Sequence, residues 1–384
     1  MSDMLMVSER ERAREMRLIK GLLTGVLLML LGSIALFGWQ AWNKDGKQAE
    51  NEAVVSRTTV PGSVSSAAER QTDVERPLDR RQDTEEPTEL TSADHHVTLG
   101  MSAEEVEEMF GEPERIDPSA YGYEWWIYGR DVWELIQIGI KENEVVIIYT
   151  NAPEWQWNSL SAGMEAAEWI NQRLNEEKHS FPYDLGYYTF QLSRQDMHER
   201  PLYIDGETAV QLYMDVHDHD RISGMRVMNL ETLLLHRPYA LQFIGQLPEP
   251  PALDSEQWEE VSRAYERQIF DLVNVTRTGH GLSVLAWHEA TADVARRHSR
   301  DMQENDFFDH YSPRHGDLSQ RLASGQIEYR AAGENIAWNY MDAADVHHGW
   351  LNSPAHRQNV LDEDFTHLGV GVVQKYYTQN FIRQ

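Results

Sequence analysis

Gly21 to Trp42 reads GLLTGVLLMLLGSIALFGWQAW, 22 residues without a charge. As a helix the run is about 33 Å long, enough to cross a hydrocarbon core of about 30 Å. It constrains the chain more than any other feature, because the residues after it must fold on one side of whatever the segment crosses. Arg10, Arg12, Arg14, Arg17 and Lys20 precede it, whereas only Lys44 and Lys47 come soon after. The positive-inside rule therefore puts residues 1–20 in the cytoplasm and the remainder outside. A cleaved signal peptide is the competing reading. The run is long for an h-region and no A-x-A site comes after it, which favours a retained single-pass anchor at the cell membrane.

Residues 43–90 are rich in Glu, Ser, Thr, Arg and Pro and almost free of aromatics. Such a segment buries too little apolar surface to offset its ordering entropy, so it reads as a disordered acidic tether. The whole chain carries 63 Asp and Glu against 34 Lys and Arg, a formal net charge of -29. That balance repels polyanions and excludes nucleic acid as a natural partner. With no cysteine anywhere, disulfides, thiolate metal sites and a Cys nucleophile are excluded as well.

Folded structure is expected to resume near residue 91. Ser102 and Glu105 form a capping box, Val106, Met109 and Phe110 give an apolar face, and Gly111 then Pro113 end a short helix. VWELIQIGI and EVVIIYTN flank the polar loop KEN and read as a β-hairpin. In TAVQLYMDVHDHDRISGMRVMN, alternation of Val210, Leu212, Met214 and Val216 predicts a half-buried strand. The cluster His217, Asp218, His219 and Asp220 falls at its turn and is read as solvated rather than as a cation site. Through LGMSAEEVEEMFGEPERI, YGYEWWIYG and ISGMRV, residues 91–235 resemble the CAP-associated N-terminal domain, an α+β companion module. Residues 236–254 contain four prolines in a short stretch and read as a linker without helix or strand interior.

From residue 255 the pattern changes. Asp254 or Ser255 can cap a long helix whose Val261, Tyr265, Ile269, Leu272 and Val273 follow three-four spacing. A second helix places Thr291, Ala295, His298 and Met302 on one face, which predicts a buried His298. Then come NDFFDHYSP, GENIAWNY, GWLNSPAHRQNVL, FTHLGVGVV and YYTQNF. These five motifs, in this order, resemble the CAP superfamily of cysteine-rich secretory, antigen five and pathogenesis-related proteins, in its bacterial form. The resemblance implies an α+β fold class: a three-layer α-β-α sandwich over residues 255–384, behind the smaller α+β domain and the transmembrane helix.

In that superfamily two His and two acids line a central cleft and in some members hold a divalent cation. The motifs match the first histidine to His310, the first acid to Glu334 and the second histidine to His356. The second acid is missing, because its position falls on Ser353. Ser353 with Pro354 next reads instead as a helix N-cap with proline in the first turn. The expected metal set is therefore His310, Glu334 and His356, with Asn335 as a further ligand-binding residue. Two imidazoles and one carboxylate can hold zinc and leave a position for water. Glu334 is the best candidate for a catalytic group, as a general base. His367 is read as a strand-end surface residue. His347 and His348 are not expected both to face the core, and neither is assigned to the site.

The primary expectation is an extracytoplasmic, membrane-anchored binding protein of the cell envelope, whose His/Glu cleft takes a lipid, peptide, glycan or divalent cation. Two alternatives stay open: a metal-dependent hydrolase of peptide or cell-wall material, and a surface scaffold with a vestigial cleft. Packing and capping alone could also account for Glu334 and His356.

Overall fold

The computed structural model describes residues 97–384 apart from 132–133, 167–169 and 171–175, together with Thr58 and Thr59. The expected anchor at 21–42 and nearly all of the tether lie outside the described residues. Among the described residues no helix is long and apolar enough to cross a membrane. Thr58–Thr59 (β1) pairs with Ala331 and Ala332, so the tether adds one short strand to an otherwise open sheet edge.

The companion domain opens with α1, Ala103–Phe110, capped reciprocally by Ser102 and Glu105 and ended at Gly111, whose φ is 79°. Next come β2 (Arg115–Pro118), β3 (Glu124–Asp131), β4 (Glu134–Lys141) and β5 (Glu144–Thr150). The β4–β5 loop is shorter than the expected KEN. Lys141 pairs with Glu144, and only Glu142 and Asn143 turn, both at positive φ (51° and 70°). Two left-handed residues match the strand twist, as in a type I′ hairpin.

After these come β6 (Lys178–Tyr183), β7 (Gly186–Gln191), α2 (Arg194–Glu199), β8 (Leu202–Asp205), β9 (Thr208–Asp215), β10 (Arg221–Asn229) and α3 (Leu230–His236). The main sheet has seven strands in the order β2-β3-β4-β5-β10-β9-β8. β9 is buried along nearly its whole length rather than on alternate residues. Val210, Leu212 and Met214 pack into one core and Ala209 and Tyr213 into another, so the sheet is covered on both sides. The residues read as a linker also contain a strand. Ala240–Ile244 (β11) pairs with β7 in a separate three-stranded sheet. The prolines lie outside that strand, at 238, 248, 250 and 251, and leave its interior free to pair.

The C-terminal domain consists of α4 (Ser255–Gly279), β12 (Ala286–Trp287), α5 (Glu289–Asn305), α6 (Leu318–Ser324), β13 (Ala331–Trp338), α7 (Ala343–Asn352), α8 (Pro354–Val360), β14 (His367–Val373) and β15 (Tyr376–Arg383). Asp254 caps α4 through a capping box with Gln257. The sheet order is β1-β13-β15-β14-β12. On β14, Gly369 and Gly371 lie against the backbone of α5 at Thr291–Ala292 and Ala295–Arg296, where a Cβ would come within 2.2 Å or less of main-chain atoms. Leu368, Val370 and Val372 alternate with these glycines and join Tyr265, Ile269 and Leu272 of α4 and Trp350 of α7 in the main core. The sheet is therefore sandwiched, α5 and α6 on one side and α4, α7 and α8 on the other, as the superfamily resemblance implied.

The two domains share buried polar contacts. Arg226 of β10, fully buried, donates to both carboxylate oxygens of Asp342 at 2.8 Å. Arg357 pairs with Asp215 at 2.9 Å and Arg200 with Asp345 at 3.1 Å. His347 and His348 are 1% and 4% exposed, contrary to the expectation that one would face outward. The reason is that α7 lies between α4 and the companion sheet. The His347 ring bonds Thr276 at 2.8 Å, while His348 bonds Tyr149 and Ser223 and stacks on Tyr213.

Candidate functional site

α5 ends at Asp306 in the left-handed conformation (φ 52°), and the chain turns through Asp309, His310 and Tyr311 toward α6. Three contacts pin this loop. The His298 ring bonds the Asp309 carbonyl at 3.1 Å, Arg321 donates to the His310 carbonyl at 2.8 Å, and the Ser312 hydroxyl donates to Asp301 at 2.6 Å. His310 itself reaches the surface, with 13% of its side chain exposed.

Glu334 comes from β13, opposite Asn380 of β15. Its neighbour Asn335 lies opposite Gln379 and, by the two-residue period of a strand, points to the other face of the sheet. The Glu334 carboxylate is 1% exposed and fully engaged. Arg321 donates Nη1 to Oε2 at 2.8 Å and Nη2 to Oε1 at 2.9 Å. The Asn380 amide nitrogen donates to Oε2 at 2.9 Å, and His310 Nδ1 lies 2.8 Å from Oε1.

Burial alone would raise the Glu334 pKa. The Arg321 charge, the His310 hydrogen bond, the nearby His298 and the Arg321 hydrogen bonds outweigh it and hold the carboxyl at about 2. An ionised carboxylate only accepts hydrogen bonds, so the proton between Glu334 and His310 sits on Nδ1. In the neutral ring Nε2 is then the acceptor. Burial, opposed in part by Glu334, holds His298 neutral with its pKa at about 4.

His356 lies on α8 and is 7% exposed. Its carbonyl accepts from Asn335 at 3.2 Å. Burial and then the neighbouring His310 push its ring pKa down to about 4. The structure thus joins His310 and Glu334 directly, while the His356 ring makes no hydrogen bond to either among the described residues. Asn335 is fully buried. It donates to His356 and Gln379 and accepts from Asn359, which makes it a clamp between β13 and α8. Ser353 occupies the N-cap position with Pro354 next, although its hydroxyl forms no capping bond.

These residues do not fit a divalent cation as arranged. Among the described residues no three His, Asp or Glu side chains form a metal-holding group. The oxygens that zinc would take from Glu334 are occupied by a bidentate guanidinium, whose positive charge opposes a second cation. The HDHD turn is likewise a turn, with His217 bonded to the Asn352 carbonyl and Asp220 paired with His198.

Two family patterns match the chain: the CAP-associated N-terminal domain over residues 99–239 and the cysteine-rich secretory protein family over 270–382. The uncharacterized membrane protein YlbC of Bacillus subtilis is 41% identical over 286 residues, which are 74% of this chain and 82% of YlbC. The chain belongs to the bacterial CAP family. An extracellular SCP-domain protein from Bacillus anthracis, solved by crystallography, is 37% identical and superposes with a TM-score of 0.72, covering 80% of this chain and all of that one. A Staphylococcus aureus cysteine-rich secretory protein shares the fold, with a TM-score of 0.66 at 22% identity over 74% of this chain and 91% of its own.

Arg321 is the residue of this CAP domain that motif reading missed, since LSQRLAS belongs to none of the five motifs. One signal was available. Arg321 falls on the face that Leu318 and Leu322 bury, and a cation on the apolar face of a helix needs an anion opposite it.

Proposed function

We propose that this CAP protein is tethered outside the cytoplasmic membrane and binds a small polar ligand at His310, with Glu334 and Arg321 as the base that holds the imidazole in place. The observation that carries this reading is the buried ionised carboxylate bonded to Nδ1. It fixes the ring's orientation and, in the neutral ring, its tautomer, which leaves Nε2 as an acceptor on a side chain that is 13% exposed. Such a nitrogen accepts from a hydroxyl, amide or ammonium donor. Support for the envelope location comes from the charge-free segment at 21–42 and from relatives described as a membrane protein and an extracellular protein.

Native mass spectrometry of protein extracted from its own membrane tests the ligand. Wild type should retain a small molecule that His310→Ala loses while keeping its thermal midpoint; equal retention by both would sink the reading. Protease added to intact cells should digest the C-terminal domains, and full protection would refute the outward topology.

The same oriented imidazole supports a second reading, a metal-independent hydrolase in which His310 Nε2 takes a proton from water attacking a carbonyl. Turnover of a peptide substrate that survives His310→Ala would exclude it.

A further inference from the structure

A groove separates the companion domain from α4, away from His310. One part of it, about 430 Å³, is lined by four arginines (115, 263, 267 and 296), by the carboxylates Glu266, Asp271 and Glu289, and by Phe270 and Trp287. The adjoining part, about 610 Å³, shares Arg263 and Arg267 and is otherwise lined by Glu256, Glu259 and Glu260 of α4 and by Ile116, Pro118 and Glu124 of the companion domain. One stripe of α4 thus runs from acid at 256, 259 and 260 through base at 263 and 267 to the aromatic Phe270. These positions recur at three- and four-residue steps, the period that places them on one helix face.

The basic pole is reachable. Arg267 is 44% exposed and gives one nitrogen to Asp117 at 2.8 Å, while Arg263 is 38% exposed and meets Glu266 and Glu259 only at 3.4 and 3.8 Å. Arg115 and Arg296 are less exposed, at 28% and 12%, and each is held by at least two carboxylates, Asp117 and Asp271 for the first and Glu266 and Glu289 for the second, at 2.6–2.9 Å. Beyond the arginines, Phe270 meets Trp287 edge-on at 5.4 Å and walls that end with apolar surface. On the acidic side, Ile116 is 49% exposed. It lies on β2, an edge strand of its sheet, where backbone groups remain for an extended partner.

We propose that this groove binds a short peptide with two free ends, its carboxylate on Arg263 and Arg267 and its ammonium among Glu256, Glu259 and Glu260. Seven residues of helix separate Glu256 from Arg263, and likewise Glu260 from Arg267, about 10 Å in each case. An extended chain covers that distance in about three residues at roughly 3.3 Å each, so a tri- or tetrapeptide spans the poles. A guanidinium pair favours a carboxylate, and the acids beside it exclude a polyanion. The last side chain of the peptide would meet Phe270 and Trp287.

The test is calorimetric titration of tetra-alanine with free termini into the full chain in lipid nanodiscs. Blocking either end, as the C-terminal amide or the N-acetyl form, should weaken binding at least tenfold, as should Arg263→Gln or the double variant Glu259→Gln/Glu260→Gln. These side chains are exposed or loosely paired, so circular dichroism should show the fold unchanged. His310→Ala should bind the peptide like wild type, which separates this groove from the His310 site. No heat with tetra-alanine, equal binding of the blocked forms, or binding of a neutral trisaccharide in their place would overturn the proposal.

Discussion

Lowering the pH from 7.5 to 5.5 should remove most of the stability of the folded unit. Five buried histidines carry this prediction: His236, His298, His347, His348 and His356, none more than 7% exposed. Burial holds His236 and His347 at about 3 and His298 and His356 at about 4, and pushes His348 well below the ordinary value. In the unfolded chain each ionises near 6.5. A depressed histidine contributes stability that is complete above the unfolded pKa and is lost as pH falls toward the folded one. At pH 5.5 each costs about 1.4 kcal/mol, and five cost about 7 kcal/mol, comparable to the 5–15 kcal/mol of a typical domain. Glu199, Glu266 and Asp271, whose pKa values burial raises, oppose this only once the carboxylate range is reached. Urea unfolding monitored by tryptophan fluorescence at half-unit pH steps measures the slope. His347→Gln should flatten it by about one proton. Equal stability at pH 7.5 and 5.5 would refute the reasoning.

The buried ion pairs lead to two more expected outcomes. Arg321→Met strands the Glu334 carboxylate without its cation and should cost about 3–5 kcal/mol in urea unfolding, with much of that recovered in the Arg321→Met/Glu334→Leu double variant. A loss below 1 kcal/mol would show that the pair is not what keeps Glu334 ionised. Asp342→Asn leaves Arg226 charged and buried at the domain junction and should cost a similar 3–5 kcal/mol. It should also expose the junction to limited proteolysis, and an unchanged cleavage pattern would count against a welded interface.

The parts of this protein legible in its sequence are those where one local pattern settles the outcome. Ser102 with Glu105, Asp254 as a helix cap, and the Thr291–Ala295–His298–Met302 face each formed as read. The ordered CAP motifs brought His310 and Glu334 to one place although 24 residues separate them. The features that stayed hidden depend on elements far apart in the chain. His347 and His348 are both buried because the companion sheet covers the outer side of α7, and no helical period in DAADVHHGWL encodes that sheet. β9 reads as half-buried for the same reason, since its second face is covered by a core that the two domains share. Arg321 escaped because its meaning lies in Glu334, thirteen residues on. That omission turned an expected zinc set into an arginine-held carboxylate.

Selective imidazole 15N labelling with long-range 1H–15N correlation reads the tautomer of His310 directly. At pH 7.5 wild type should show the proton on Nδ1, held by the ionised Glu334, and added zinc should leave the signal unmoved. Glu334→Gln should release the ring to a mixture of tautomers. A His310 protonated on Nε2, or one whose resonance shifts with stoichiometric zinc, would contradict the arginine-held carboxylate and restore the metal site.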